Sequence, residues 1–162
     1  ELTEEGYHPP QPKIGVMFEV PAAIFISHKM MPEIDFCSIG SNDLTQYVLA
    51  VDRNNSNVSN IYDPLHPAVL QMIKHLAKNC ADVNMPLELC GEMASDPDGS
   101  VILFGLGLRQ LSMSASLIPL VKERMSMFTL SEAEEIADFA LYEAASAMEV
   151  REKISRFLRR LT

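Results

Sequence analysis

Four short apolar runs punctuate this chain, and a helix-compatible stretch follows each of them. The first is Lys13-Ile14-Gly15-Val16-Met17-Phe18-Glu19-Val20-Pro21, nearly continuous in hydrophobicity and closed by a proline. The others are Phe36-Cys37-Ser38-Ile39-Gly40, Pro86-Leu87-Glu88-Leu89-Cys90 and Gln110-Leu111-Ser112-Met113-Ser114. Short runs of this kind suit strands, and the unbroken first one suits a strand buried on both faces. Between them, residues 22–31 are compatible with a helix, and residues 44–62 with a short helix followed by an Asn-rich loop. His66-Pro67 opens a further helix, since proline fits a first turn. Val69, Leu70, Ile73, Leu76, Ala77 and Cys80 recur at helical spacing and form its buried face. Residues 97–108 give another helix. From Ser131 an amphipathic helical region runs to about residue 160; Ser131 and Glu134 have capping-box spacing, and the pattern allows a break near Met148.

Strand followed by helix, four times over, predicts an α/β fold with a parallel sheet and helices outside it. The polar residues gather at the C-terminal ends of the runs: Glu19, Asn42 with Asp43, Cys90, and Ser112 with Ser114. That is the face on which a (β/α)8 TIM barrel carries its active site. A whole barrel takes roughly 250 residues, whereas this chain has 162. The expectation is half a barrel, with a long C-terminal helical region, occupying residues 13–162. Residues 1–12, polar and carrying Pro9, Pro10 and Pro12, read as a linker or loop. Left open, a half barrel exposes two strand edges.

Composition limits the ligand. Hydrophobic residues make up 48% and charged ones 22%, an ordinary globular balance. No apolar run approaches the roughly 20 residues that span a bilayer, and the acidic, polar start is unlike a secretory signal. The first residue is not methionine, which suggests a piece of something longer. Three cysteines without metal-type spacing point to a reducing, cytoplasmic setting. A net charge of −9 argues against nucleic acid or an anionic membrane as partner. It also means that an anionic substrate needs local help from a metal ion, an arginine or backbone N–H groups.

Each candidate residue has a plain structural reading beside the functional one. Glu19, in an apolar run, is expensive to bury unless it pairs with a cation at the rim or binds a metal. Asn42 and Asp43 suit the cap of the helix that follows; with Glu19 they equally suit a hard-cation site, since Mg²⁺ takes one or two carboxylates plus phosphate oxygens and water. Arg53 is a solvated arginine or a phosphate clamp. Cys90 is a small buried hydrophobe or, at the rim, a proton donor or nucleophile. Cys37 and Cys80 read as hydrophobes only. The four histidines form no cluster, and His66 shapes the turn before Pro67.

Ile14-Gly15-Val16-Met17-Phe18-Glu19-Val20-Pro21-Ala22-Ala23 resembles a strand motif of Enzyme I, the phosphoenolpyruvate–protein phosphotransferases. The segments Asp35–Tyr47, Ala50–Arg53, Tyr62–Leu70, Leu89–Ala94 and Ser112–Ala115 continue the resemblance in order, over about residues 13–120. Ser41 and Val51-Asp52-Arg53-Asn54-Asn55 look more like the nitrogen-system form than the sugar-system form. The resemblance implies the C-terminal half of the barrel, a homodimer, and a division of roles. Glu19 and Asp43 would bind Mg²⁺, Asn42 and Arg53 would hold the phosphate of phosphoenolpyruvate, and Cys90 would protonate the enolate as pyruvate forms. The phosphoryl group would pass to a histidine on another domain and then to a phosphocarrier protein. That histidine domain and the earlier strands, which bear two further substrate-binding arginines in the family, are not in this sequence, so the chain alone is expected to be inactive. Pyruvate phosphate dikinase and phosphoenolpyruvate synthase would use the same residues, a metal-dependent aldolase barrel would not need Cys90, and a purely structural or dimerising unit needs none of them.

Overall fold

The computed structural model describes residues 5–8 and 10–160. Four strands, β1 (Gly15–Phe18), β2 (Phe36–Gly40), β3 (Leu87–Cys90) and β4 (Gln110–Leu111), form one parallel sheet in sequence order. Each crossover is helical: α1 (Pro21–Phe25) and α2 (Ser27–Met30), then α3 (Ser41–Leu49) and α4 (Pro67–Asp82), then α5 (Glu92–Ser95) and α6 (Pro97–Gly105). After β4 come α7 (Ile118–Ser126), α8 (Leu130–Tyr142) and α9 (Ala147–Leu158). Sequential parallel strands with covering helices are the arrangement of half a TIM barrel.

Register sorts the strand residues into two faces. Val16, Cys37 and Leu87 stand in one row, and Phe18, Ile39, Leu89 and Leu111 in the next. These rows lie beneath the helices: Phe18, Cys37, Ile39 and Leu89 are fully buried, against Ile24 of α1, the Val69–Leu70–Ile73–Leu76 stripe of α4 and Val101–Leu103 of α6. A truncation such as Leu89→Ala removes apolar area at a close-packed spot, where such changes cost about 2–5 kcal/mol. The opposite face carries Met17, Ser38, Glu88 and Gln110 in one row. It is the inner face of the half barrel and is only partly covered.

That inner face corrects one expectation. The first run forms a strand but is not buried on both sides: Phe18 is fully buried, while Met17 on the inner face is 52% exposed. An isolated half barrel covers its outer face with its own helices and has nothing to lay across its inner one. Ser38 on this face keeps a buried hydroxyl without a hydrogen-bond partner among the described residues.

Other boundaries moved for identifiable reasons. The segment at 22–31 divides into α1 and α2 at Ile26, followed by a tight turn at Met31–Glu33. The helix expected within 44–62 starts at Ser41, so Asn42 and Asp43 lie inside its first turn. β4 stops at Leu111, although Ser112 N still donates to Leu89 O at 2.9 Å. The capping box belongs to Thr129 and Glu132, two residues earlier than expected: Thr129 N donates to Glu132 Oε2 (2.8 Å) and Glu132 N to Thr129 Oγ1 (3.2 Å). The break in the last helical region falls at residues 143–146, just ahead of Met148. Gly105, at the end of α6, is the seat of α8, since a Cβ there would lie 2.1 Å from Ala133 O. The loop expected over 1–12 shows a turn at 5–6 and no helix or strand; residues 1–4 and 9 lie outside the described residues.

Candidate functional site at the strand ends

The C-terminal ends of β1, β2 and β3 bring together four of the five candidate residues, and Arg53 reaches them from the following loop. Gly40, the last residue of β2, stands opposite Cys90, the last of β3. The Glu19 side chain crosses above Gly40: a Cβ on Gly40 would sit 2.7 Å from Glu19 Oε2 and 3.2 Å from Met17 Sδ. Only glycine leaves that space. Gly40 is also the N-cap of α3, so the Glu19 carboxylate lies beside the positive end of that helix.

Asn42 and Asp43 do not cap α3, because no side-chain cap bond is present. Their polar atoms turn elsewhere. Asn42 Oδ1 accepts from Glu92 N at 2.9 Å, which commits its oxygen and leaves its amide hydrogens for another acceptor. Asp43 Oδ1 accepts from Gln46 Nε2 at 2.9 Å, one turn along the helix. Gln46 Oε1 in turn accepts from Arg53 N at 3.1 Å, which ties the loop after α3 back to that helix. The loop can double back because Ala50 adopts the left-handed conformation (φ 53°) and ends the helix there.

Arg53 pairs with Glu92, Nη1 to Oε1 at 3.1 Å, with side chains 36% and 66% exposed. Exposed pairs of this kind contribute roughly 0–1 kcal/mol, so a phosphate can take over the guanidinium at little cost. Tyr62 stands beside both. Its hydroxyl reaches Asn42 O at 3.4 Å, and burial, then the Glu92 carboxylate, push its phenol above the ordinary value while Arg53 pulls the other way.

The β2 and β3 tips are locked to each other. Ser41 Oγ donates to Cys90 O at 2.7 Å, and Gly91 takes φ +103° so that its backbone fits against Ser41 and Asn42. The half-buried Cys90 thiol donates to Ile39 O at 3.5 Å. Cys37 and Cys80 are buried in the core; the neighbouring Cys37 thiol, then burial, holds the Cys80 thiol above its usual range, while Cys80 draws Cys37 below its own. One prediction follows from that contrast. In the native protein a thiol reagent should modify Cys90 alone, with Cys37 and Cys80 reacting only on unfolding. Labelling followed by peptide mapping checks it, and fast modification of Cys80 would contradict the packing.

Gln46, Tyr62 and Glu92 were not singled out from the sequence. Gln46 had a readable signal, three residues beyond Asp43 on one helix. Glu92 and Tyr62 had none, because their roles come from loops meeting across different strands.

Among the described residues no three His, Cys, Asp or Glu side chains converge as a metal-binding group. Glu19 and Asp43 remain as two carboxylates flanking the start of α3, neither in an ion pair among the described residues. That donor set is too sparse for a closed protein cage. It suits Mg²⁺, which keeps waters and takes substrate phosphate oxygens as ligands.

A parallel half barrel with its polar residues at the strand ends defines an α/β enzyme domain of the strand-end-site type. Residues 1–130 match the family model described as "PEP-utilising enzyme, PEP-binding domain", and the chain belongs to that family. It is 46% identical over 155 residues to an Escherichia coli K12 protein named "Phosphoenolpyruvate-dependent phosphotransferase system", covering 96% of this chain and 21% of that protein. It is 44% identical over 129 residues to a phosphoenolpyruvate-protein phosphotransferase of Borreliella burgdorferi, covering 80% and 22%. A protein of the same name from Haemophilus influenzae is 40% identical over 159 residues, covering 98% and 28%. The chain thus spans between about a fifth and three-tenths of the length of these relatives.

Proposed function

We propose that this chain is the phosphoenolpyruvate-binding, C-terminal half barrel (residues 13–162) of a phosphoenolpyruvate–protein phosphotransferase. The observation that carries the reading is the rim itself. Two carboxylates without an ion pair among the described residues flank one helix start, with an amide donor, a weakly engaged arginine and a half-buried thiol around them. In this reading Glu19 and Asp43 hold Mg²⁺, which would neutralise phosphate charge against the acidic chain. Asn42 offers its amide hydrogens to the phosphate. Arg53 exchanges Glu92 for two phosphate oxygens, a geometry its planar fork suits. Phosphoryl transfer asks for positioning and charge neutralisation more than covalent chemistry from the barrel, and these groups supply both.

As the bond between phosphorus and the enol oxygen breaks, the phosphoryl group leaves for a histidine on another domain and later for a phosphocarrier protein. The electron pair stays with the enolate. Cys90 then gives its S–H proton to the terminal carbon, which completes pyruvate and leaves a thiolate. The proton is held ready by a neutral carbonyl acceptor, Ile39 O, rather than by a base that would remove it. A cytoplasmic homodimer belongs to the same reading, as does the inactivity of residues 1–162 alone, since the acceptor histidine is not among them. No helix is long and apolar enough to cross a membrane among the described residues.

Calorimetric titration of the protein at its full natural length tests the metal and the substrate together. Phosphoenolpyruvate affinity is expected to fall at least tenfold on chelation of Mg²⁺, roughly the 1.4 kcal/mol that separates decades in Kd. Asp43→Asn and Glu19→Gln should show the same loss with the metal present. Affinity indifferent to chelation would reject the Mg²⁺ site.

A further inference from the structure

The two loops that carry the candidate site are joined by a residue far from it in sequence. Arg151 projects from α9, whose Val150, Ile154 and Phe157 are anchored in the core. Its guanidinium forks across two aspartates. Nε donates to Asp63 Oδ2 at 3.2 Å and Nη2 to Asp63 Oδ1 at 3.0 Å, while Nη1 donates to Asp96 Oδ2 at 3.2 Å. The three side chains are 29–40% exposed, so the pairings are partly shielded from water.

Each aspartate ends a site loop. Asp63 follows Tyr62, whose hydroxyl touches Asn42 O, and closes the segment that began at Arg53. Asp63 Oδ1 also holds Leu65 N at 2.9 Å, which fixes the turn into α4. Asp96 closes the segment that began at Cys90: its N–H donates to Glu92 O at 3.0 Å, and its Oδ1 caps α6 through Asp98 N at 3.0 Å. The remaining oxygen of Asp96 goes to Arg151. One guanidinium therefore sets the distance between the loop bearing the phosphate clamp and the loop bearing the thiol. Among the described residues the only other ion pair between these loops is the exposed Arg53–Glu92 contact, which the reading above has given up to phosphate. Arg151 also lies beyond residues 1–130, the part matched by the family model.

We propose that Arg151 is a positioning residue that clasps the Arg53–Asp63 and Cys90–Asp96 loops through the Arg151–Asp63–Asp96 triad and so holds the site assembled when Arg53 releases Glu92. The proposal rests on the phosphoenolpyruvate reading above. Its effect is on geometry, and misplacement of about 1 Å can cost on the order of a hundredfold in rate.

The test uses the protein at its full natural length. Arg151→Met, Asp63→Asn, their combination, and Arg151→Lys are compared for phosphoenolpyruvate KM, kcat and Tm. Arg151→Met is expected to lower kcat/KM roughly tenfold or more, since the clamp loop and the thiol loop lose their common anchor. The double variant should be no worse than Arg151→Met, because one interaction is removed twice. Arg151→Lys should recover only part of the loss, since an ammonium cannot fork two carboxylates. A lowered Tm with wild-type KM and kcat in the folded fraction would overturn the proposal and leave a plain stabilising ion pair. If Arg151→Met fails to fold, Asp96→Asn carries the test, because an amide keeps the α6 cap; a several-fold fall in kcat/KM supports the clasp and an unchanged kcat/KM rejects it. If the wild-type protein does not turn over phosphoenolpyruvate, the functional reading fails separately. Amide exchange then decides the clasp: faster exchange across 53–63 and 91–96 in the variant supports it, and unchanged protection sinks it.

Discussion

Under the proposed function, replacing Cys90 with alanine in the protein at its full natural length should cut phosphoenolpyruvate-dependent pyruvate formation by roughly a hundredfold to ten-thousandfold, the usual span for loss of a positioned proton donor. The side chain stands at the end of β3, opposite Gly40, with its S–H directed to Ile39 O. Among the described residues nothing else at this rim offers a comparable proton: in the proposed reading Glu19 and Asp43 are taken up by the metal, and Tyr62 uses its hydroxyl on Asn42 O. Binding should hold better than turnover. The residues that would grip phosphate are Asn42 and Arg53, and their anchors are Glu92 N and Gln46 rather than the thiol. The expected pattern is therefore a collapse of kcat with phosphoenolpyruvate affinity within a few-fold of wild type. Cys90→Ser should be nearly as poor, since a hydroxyl gives up its proton far less readily than a thiol. The check is single-turnover pyruvate release, run beside equilibrium binding of phosphoenolpyruvate. Full turnover in Cys90→Ala would remove the thiol from the mechanism and favour an enolate-handling barrel that does not use one.

What the sequence made legible follows from where the information is local. Strand and helix alternation, the apolar stripe of α4 and the proline at its first position are properties of neighbouring residues, and each appears in the structure at or within a few residues of its expected place. Glu19, Asn42, Asp43 and Cys90 were legible as a rim because a parallel sheet must present the ends of its strands on one side. Their partners were not. Asn42 finds its hydrogen bond fifty residues away at Glu92 N, and Arg53 finds its counter-ion 39 residues away. The capping reading of Asn42 and Asp43 failed for a related reason. α3 begins one residue after β2 ends, so Gly40 takes the cap position and the two polar side chains are freed for the rim. Register shifts of one or two residues at helix starts, as at Thr129 against Ser131, turn on which of several hydroxyls finds its glutamate, a choice that packing makes.

Gly91→Ala should damage the fold and the rim together. Gly91 sits at φ +103°, in a region that side chains avoid, and holding alanine there costs about 1–3 kcal/mol by itself. Space adds to that. The new Cβ would lie 2.4 Å from Ser41 Oγ and 2.8 Å from Asn42 Oδ1. Neither atom can retreat without losing a bond, since Ser41 Oγ is held to Cys90 O at 2.7 Å and Asn42 Oδ1 to Glu92 N at 2.9 Å. Each lost bond contributes about 1 kcal/mol, so the total destabilisation should reach about 3–5 kcal/mol, a substantial part of the margin of a typical domain. The site should suffer with the fold, because the two displaced atoms are those that lock the β2 tip to the β3 tip. Gly107 is the matched control. It has nearly the same backbone conformation, φ +105°, but nothing lies within 4 Å of a Cβ built there. Gly107→Ala should show the backbone strain alone, a loss of about 1–3 kcal/mol, with phosphoenolpyruvate affinity unchanged, whereas Gly91→Ala should lose stability and affinity together. Denaturation and binding measured on both variants separate strain from crowding, and equal losses in the two would mean that the contact between the strand tips contributes nothing.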